Sequence, residues 1–411
     1  MKIRLLFLFL ISVTAAQGQT KPDDFEKFAV NQDSLFNLAY EHKDTKIYNK
    51  LLTEFLARYD KLSADNKKEF SGFLINSYYN LCCTYSLLGN KPMAIIYLKK
   101  AIDAGYLDYK HLQEDSDLDA IRNEKEFKEI NTGLRKIGDY LYILKNADKY
   151  NPSENTPLPG FSYQPSTNPN LVALRKAFNL DSIAGGGNDV SKILSLLHWI
   201  HNLVPHDGVS YNPEVLNALS MIRECKKSNR GLNCRGLATV LNECYLAIGI
   251  KSRFVTCLPK DSLGTDLDCH VINMVYSTHL NKWLWIDPTF DAYVMDEKGQ
   301  MLSIEEVRDR LITDKPLLIN PDANWNHKSS QTKEEYLYNY MAKNLYILEC
   351  PLNSEFDTET PQKDKLTSYI RLVPLEYFNK SLEKSESMNT VTQRKWETYR
   401  TNNPNTFWKI P

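Results

Sequence analysis

Cys234 has an unusual position for a cysteine, because the stretch RGLNCRGLATVLNECYLAIGI (230–250) predicts that it opens an amphipathic helix. Asn233 is a favourable N-cap, apolar residues recur at helical spacing after it, and Gly249 ends the pattern. In the first turn of a helix, free N–H groups and the helix dipole stabilise a thiolate and lower its pKa. The same N–H groups can hold an oxyanion, so the position suits a nucleophile that attacks a carbonyl carbon.

A thiolate nucleophile needs a base with an orienting group, and His270 and Asp287 are placed to supply both. HVINMVY and KWLWID are predicted strands joined by the turn-like STHLN, with His270 opening the first strand and Asp287 closing the second. Their midpoint falls between Thr278 and His279. In a symmetric hairpin the two side chains would therefore face each other, with Cβ atoms ~4.5–5.5 Å apart. The carboxylate can then fix the imidazole tautomer that takes the proton of Cys234.

Two other patterns in the same region do not point to chemistry. GGGN (185–188) lacks the Gly-Lys-Ser/Thr of a phosphate-binding loop and is better interpreted as a turn before a helix. His198, His201 and His206 could ligate a metal, but their spacing implies no ligand geometry, and structural roles are favoured. We therefore expect neither a metal nor an organic cofactor.

The order helix-borne Cys, strand-borne His and next-strand Asp resembles the transglutaminase-like superfamily. The resemblance includes G-I-x-x-R at 249–253, W-x-D-P-T at 285–289 and the upstream helix SKILSLLHWIHNLV, and it covers roughly residues 171–300. It implies a papain-like core, in which the helix opened by the Cys packs on an antiparallel sheet carrying the His and the Asp. Arg253, which closes the first motif, is given no catalytic role and is expected in a buried ion pair.

By this resemblance Cys234 is the nucleophile, His270 the general base and acid, and Asp287 the orienting carboxylate. The chain departs from the family after the histidine. Val271 and Ile272 stand where many members have a small residue followed by an aromatic one. This departure leaves the triad intact, but it changes the expected pocket wall and hence the substrate.

The composition is that of an ordinary globular protein. The 411 residues are 42% hydrophobic and 25% charged, with a formal net charge of -1. The length allows two or three domains, and the balanced charge argues against nucleic-acid binding and against a disordered acidic chain.

The first residues, MKIRLLFLFLISVTAAQGQT, have the positive start, apolar run and small residues of a secretory signal peptide. We therefore expect cleavage of residues 1–19 and export to the periplasm or the extracellular space. No later stretch reaches the ~18 apolar residues of a membrane helix, so no membrane span is predicted. The eight cysteines permit disulfides after export, but their spacing assigns no pairing, and Cys82 and Cys244 are expected to be small buried residues.

Residues 20–148 are predicted to form an all-α domain. Within them, SYYNLCCTYSLLGNKPMAIIYLKKAIDAGY (77–106) resembles one tetratricopeptide repeat (TPR), with a Gly-Asn turn at 89–90 and a second helix beginning near Pro92. One repeat cannot bury its own apolar face, so flanking helices must complete the core. The region is either a concave surface for a peptide or protein partner or a brace for the next domain.

The rest of the chain is predicted as a Pro-rich linker at 149–170, a transglutaminase-like domain at 171–330, and an extension at 331–411 packed on the catalytic domain. NLYILECPL and KLTSYIRLVPL are predicted strands that extend the sheet or cover the cleft. The predicted fold class is thus α+β, with an all-α TPR-like domain preceding a papain-like, transglutaminase-like core of a helix packed on an antiparallel sheet.

The predicted activity is acyl transfer from an amide bond of a peptide or protein. Hydrolysis by a peptidase or amidase is favoured over cross-linking to a lysine amine, because the resemblance does not imply the accessory domains of cross-linking enzymes. An alternative of another class is a non-catalytic module that binds a peptide or protein through the TPR-like helices and the papain-like cleft. A polysaccharide-associated accessory protein is a third alternative, based on aromatic content alone.

Overall fold

The chain divides into two compact units, Met1–Asp139 and Tyr140–Pro411. The computed structural model describes residues 24–260, 268–362, 365–379 and 383–411, and the predicted signal peptide at 1–19 lies outside these ranges. Within the described ranges, no helix has the length and apolar character needed to cross a membrane.

The described part of the first unit is built from helices. They are α1 Asp24–Glu41, α2 Thr45–Tyr59, α3 Ala64–Glu69, α4 Ser71–Leu87, α5 Lys91–Asp103, α6 Tyr109–Glu114 and α7 Lys125–Gly138, with a 3₁₀ turn at Ser116–Leu118. The α4–α5 hairpin lies where the sequence predicted it. Gly89 adopts a positive φ of 73°, and Asn90 caps α5 by accepting a hydrogen bond from the Met93 N–H. Cys82 and Ala94 are fully buried, as small residues between closely packed helices must be.

The second unit combines helices with a mixed sheet. Its helices are α8 Tyr140–Lys145, α9 Pro169–Ala177, α10 Leu180–Ala184, α11 Asp189–Leu203, α12 Ala218–Ser228, α13 Cys234–Ala247, α14 Ile304–Ile312, a π-helix at Glu334–Met341, α15 Ala342–Asn344, α16 Leu375–Phe378 and α17 Pro404–Phe407. Its strands are β1 Ser162–Tyr163, β2 Ser252–Leu258, β3 His270–Ser277, β4 Lys282–Ile286, β5 Val294–Met295, β6 Leu318–Ile319, β7 Asn324–Trp325, β8 Ser329–Ser330, β9 Ile347–Pro351, β10 Asn353–Ser354, β11 Leu366–Leu372, β12 Lys384–Met388 and β13 Lys395–Thr401. The predicted α+β fold class is confirmed.

The main sheet has the strand order β12-β13-β11-β9-β2-β3-β4. Its pairings are antiparallel except for β11 with β13, which is parallel. The two strands predicted near the C-terminus are confirmed as β9 and β11. Because β9 pairs directly with β2, residues 331–411 continue the sheet that carries His270, and do not merely cover it.

The structure divides the chain nine residues before the predicted end of the helical domain at 148. Ile143 and Leu144 of α8 lie in the core of the second unit, because the apolar face of this short helix packs there. The predicted linker at 149–170 contains β1, which pairs in parallel with β10. The Pro-rich stretch is therefore partly built into the second unit.

The helix α13 is the central element of the second unit. It is buried from Gly236 to Ala247. A helix buried on every face needs partners for its polar side chains, and Glu243 accepts hydrogen bonds from the backbone N–H groups of Ala218 and Asp357, at 2.8 and 2.9 Å. These contacts fix the helix that begins at Cys234.

Arg253 is fully buried, but the ion pair predicted for it is wrong. Its guanidinium donates to the backbone oxygens of Phe407 and Lys409, both at 3.3 Å, and lies over the ring of Phe161 at 3.7 Å. Within the described ranges the structure pairs it with no carboxylate. The backbone carbonyl groups of Phe407 and Lys409 serve as the acceptors because the C-terminal segment lies against β2 at Arg253.

We predict that the fragment 140–411 folds and that the fragment 140–330 does not. Removing residues 331–411 unpairs β2 from β9 and takes a large part of the apolar core away. Far-UV circular dichroism and urea unfolding of both fragments test this expectation. Cooperative unfolding of 140–330 with the same midpoint as 140–411 would contradict it.

Candidate active site

The start of α13 is held in place from outside the helix. Cys234 is the first helical residue, and the N-cap Asn233 accepts a hydrogen bond from the Gly236 N–H at 3.0 Å through its side chain. Asn212 donates to Asn233 Oδ1 at 2.7 Å and accepts from the Asn233 N–H at 3.1 Å. A Cβ atom on residue 236 would lie 2.7 Å from Asn212 Oδ1, so a larger residue there would displace the Asn212 amide from the cap. The predicted cap and helix start are confirmed.

The structure brings His270 and Asp287 together as a buried pair. His270 Nε2 lies 2.6 Å from Asp287 Oδ2, and the two side chains are 1% and 0% exposed. The other carboxylate oxygen, Oδ1, accepts a hydrogen bond from the Thr289 N–H at 2.9 Å. Because the carboxylate accepts from His270 Nε2, that nitrogen carries the hydrogen, and Nδ1 is the basic nitrogen of the neutral ring.

The hairpin that carries this pair has a different register from the symmetric one predicted. Asn273 pairs with Ile286, so the ladder is offset by two residues and His270 does not lie directly opposite Asp287. Side chains alternate with a period of two, so an offset of two leaves both residues on one face, as diagonal neighbours. The turn is fixed by α11, because Asp189 accepts hydrogen bonds from the turn segment 277–279.

The electrostatic environment favours opposite charges on the Cys234 and His270 side chains. Burial alone raises the pKa of the Cys234 thiol, but hydrogen bonds from the His206 and His270 side chains, the charge of His270 and the Val271 N–H together lower this pKa to about 6. Burial alone lowers the pKa of His270, whereas the charge and hydrogen bond of Asp287 and the interaction with Cys234 raise it to about 10. The directions of these two shifts favour a thiolate and an imidazolium over the neutral thiol and imidazole.

Tyr336 is a site residue that the sequence did not reveal. Its hydroxyl donates to Asp287 Oδ2 at 2.6 Å and accepts a hydrogen bond from Trp285 Nε1 at 3.1 Å. Tyr340, one turn further along the same π-helix, packs 5.2 Å from the His270 ring, centroid to centroid. The segment carries no motif. Its one sequence signal was a high aromatic content, and π-helices are often found at functional sites.

The three histidines considered as metal ligands separate into different environments. His198 Nδ1 lies 2.6 Å from Asp291 Oδ2. The ring of the buried His201 lies between Pro288 O, at 3.1 Å, and Asn324 Oδ1, at 3.0 Å. Of the three, only the His206 side chain acts on the Cys234 thiol, whose pKa it helps to lower. The structural roles expected for His198 and His201 agree with these contacts, whereas His206 belongs to the candidate site.

A helix-start thiol and a sheet-borne His–Asp pair are the arrangement expected of a papain-like core, and comparison with known families agrees with that fold. Residues 176–288 match the model of the transglutaminase-like superfamily. The second unit therefore contains a transglutaminase-like domain, a fold of cysteine-dependent enzymes.

Among solved structures, the crystal structure of a proposed cysteine protease from Cytophaga hutchinsonii is similar, with 21% sequence identity over 36% of this chain and a TM-score of 0.24. The chain spans less than half of that structure, 46% of its length. A search of curated proteins gives no match. The assignment of a transglutaminase-like domain rests on the family model and not on this distant structure.

We predict that Tyr336→Phe lowers the free energy of unfolding by about 2 kcal/mol, since it removes a hydrogen bond to a buried charged group. It also takes away the acceptor of the Trp285 N–H. Urea unfolding of the variant measures the loss. Tyr338→Phe is the matched control, because Tyr338 is half-buried on the same π-helix and faces Lys333. Equal midpoints for the two variants would contradict this role of Tyr336.

Proposed function

We propose that the second unit is a cysteine-dependent acyl-transfer enzyme that acts on amide bonds of peptides or proteins. Cys234 is the nucleophile, His270 the general base and acid, and Asp287 the orienting carboxylate. The observation that carries this proposal is the buried His270–Asp287 pair, with 2.6 Å between Nε2 and Oδ2, beside the thiol at the start of α13, whose pKa His270 helps to lower. The family match supports the same type of chemistry.

The geometry suggests a two-stage reaction. The Cys234 thiolate attacks the amide carbonyl carbon, a C–S bond forms, and the π-electron pair moves to the oxygen, where N–H groups at the start of α13 can hold it. When this pair returns, the C–N bond breaks and His270 gives its proton to the leaving amine. A second nucleophile, deprotonated by His270, then attacks the thioester, and the Cys234 thiolate leaves.

We favour water as the second nucleophile, which makes the reaction hydrolysis. The family match is confined to 176–288 and brings with it no accessory domain of a cross-linking enzyme. We further propose export, which the signal-peptide pattern at 1–19 supports, and a protein-binding or bracing role for the TPR-like hairpin α4–α5.

We predict that the wild-type protein cleaves unfolded casein and that Cys234→Ser abolishes the cleavage. The serine hydroxyl is not ionised near neutral pH, so the substituted residue lacks an activated nucleophile. Mass spectrometry of the products, with a fluorescent primary amine present, distinguishes new carboxyl ends from amine-linked products.

Cys269→Ser is the matched control, because Cys269 is the other partly exposed cysteine, and it should retain activity. If the products are amine-linked and carry no new carboxyl ends, the reaction is cross-linking and not hydrolysis. A Cys234→Ser variant as active as wild type would contradict the proposed function.

A further inference from the structure

His206 is a second imidazole near the Cys234 thiol, whose pKa it helps to lower, and its backbone pairs with the segment that leads into α13. It forms a β-bridge with Leu232, two residues before the cysteine. The Asp207 N–H donates to Leu232 O at 2.8 Å, and the Leu232 N–H donates to Pro205 O at 3.1 Å. The ring is therefore presented to the start of the helix by local pairing of the chain.

A hairpin made of β7 and β8 holds His206 from the other side. Asn326 accepts a hydrogen bond from the His206 N–H at 2.7 Å and donates to His206 O at 2.8 Å. Trp325 Nε1 lies 3.1 Å from His206 Nδ1. Asn326 and His327 have φ values of 50° and 57°, which suits the tight turn of such a hairpin. Three side-chain hydrogen bonds from two adjacent residues thus fix one histidine.

The Trp325 contact determines which ring nitrogen of His206 carries the hydrogen. An indole N–H can only donate, so His206 Nδ1 must be the acceptor, and the hydrogen of the neutral ring is on Nε2. That leaves Nε2–H as the donor of this ring, and the His206 side chain is one of the groups that lower the pKa of the Cys234 thiol. A hydrogen on Nδ1 would point at the indole N–H. This geometry makes His206 a hydrogen-bond donor and not a proton acceptor.

The two imidazoles at Cys234 therefore have opposite functions. In His270 the carboxylate of Asp287 holds the hydrogen on Nε2 and leaves Nδ1 to exchange a proton with the thiol. In His206 the indole of Trp325 occupies Nδ1 and leaves Nε2–H as the group that can donate to the same sulfur. One imidazole can move a proton, and the other can only stabilise negative charge.

We propose that His206 is a further catalytic residue, whose Nε2–H stabilises the oxyanion formed when Cys234 adds to a carbonyl group. As the C–S bond forms, negative charge passes from the sulfur to the carbonyl oxygen bonded to the same carbon, within reach of the same donor. The N–H keeps its hydrogen throughout, while the proton for the leaving group comes from His270. This inference rests on the proposed acyl-transfer function.

The test compares two reactions of Cys234 in the full chain. Acylation by p-nitrophenyl acetate proceeds through an oxyanion, with release of nitrophenolate, whereas alkylation by iodoacetamide displaces iodide from a saturated carbon without one. Both rates are measured at about pH 9, so that the thiol is largely ionised. We expect His206→Ala to lower the ratio of acylation to alkylation about 100-fold. His279→Ala, an exposed histidine in the β3–β4 turn, should leave the ratio unchanged.

Two milder variants keep the inference falsifiable if His206→Ala does not fold. Trp325→Phe retains a ring but frees Nδ1, and His206→Gln replaces the imidazole by an amide N–H donor. Both should give ratios between those of wild type and His206→Ala. A wild-type ratio in all folded His206 and Trp325 variants would overturn the role of His206 while the acyl transfer stands. Alkylation without any acylation of wild-type Cys234 would overturn the proposed function itself.

Discussion

The hydrogen bond between His270 and Asp287 is the interaction on which the second unit depends. A carboxylate with no exposed surface is tolerated in a fold only when its oxygens are satisfied, and removal of one partner of such a pair typically costs about 3–5 kcal/mol. Three segments meet that requirement. The strand β3 supplies the imidazole, the turn after β4 supplies the Thr289 N–H, and the π-helix supplies the Tyr336 hydroxyl. The C-terminal part of the chain is thus needed to satisfy the buried carboxylate of the His270–Asp287 pair.

Features set by local chemistry could be predicted from the sequence. The Asn233 cap, the helix beginning at Cys234 and the two strands carrying His270 and Asp287 all follow from capping and periodicity, which act over a few residues. The shared face of the His–Asp pair was also predictable, because alternation along a strand survives an even shift of register.

Features set by distant contacts could not be predicted. The hairpin register depends on Asp189, far away in sequence, whose carboxylate holds the turn. Tyr336 lies in a segment without a motif, and its role appears only when the π-helix places it against Asp287. The tautomer of His206 depends on Trp325, which reaches it across more than a hundred positions. In each case the deciding partner comes from another element, and no local pattern identifies it.

The pH dependence of Cys234 alkylation, measured in wild type and in His270→Ala, tests the thiolate–imidazolium pair most directly. Mass spectrometry assigns the label to Cys234, since Cys269 is also partly exposed. Because the pKa of the Cys234 thiol is lowered to about 6, we predict a wild-type rate that rises through that pH and is constant above it. In His270→Ala the midpoint should move up towards the ~8.5 of an ordinary thiol. A wild-type midpoint at the ordinary value, or one that His270→Ala leaves unchanged, would contradict the assignment of Cys234 and His270 as the catalytic pair.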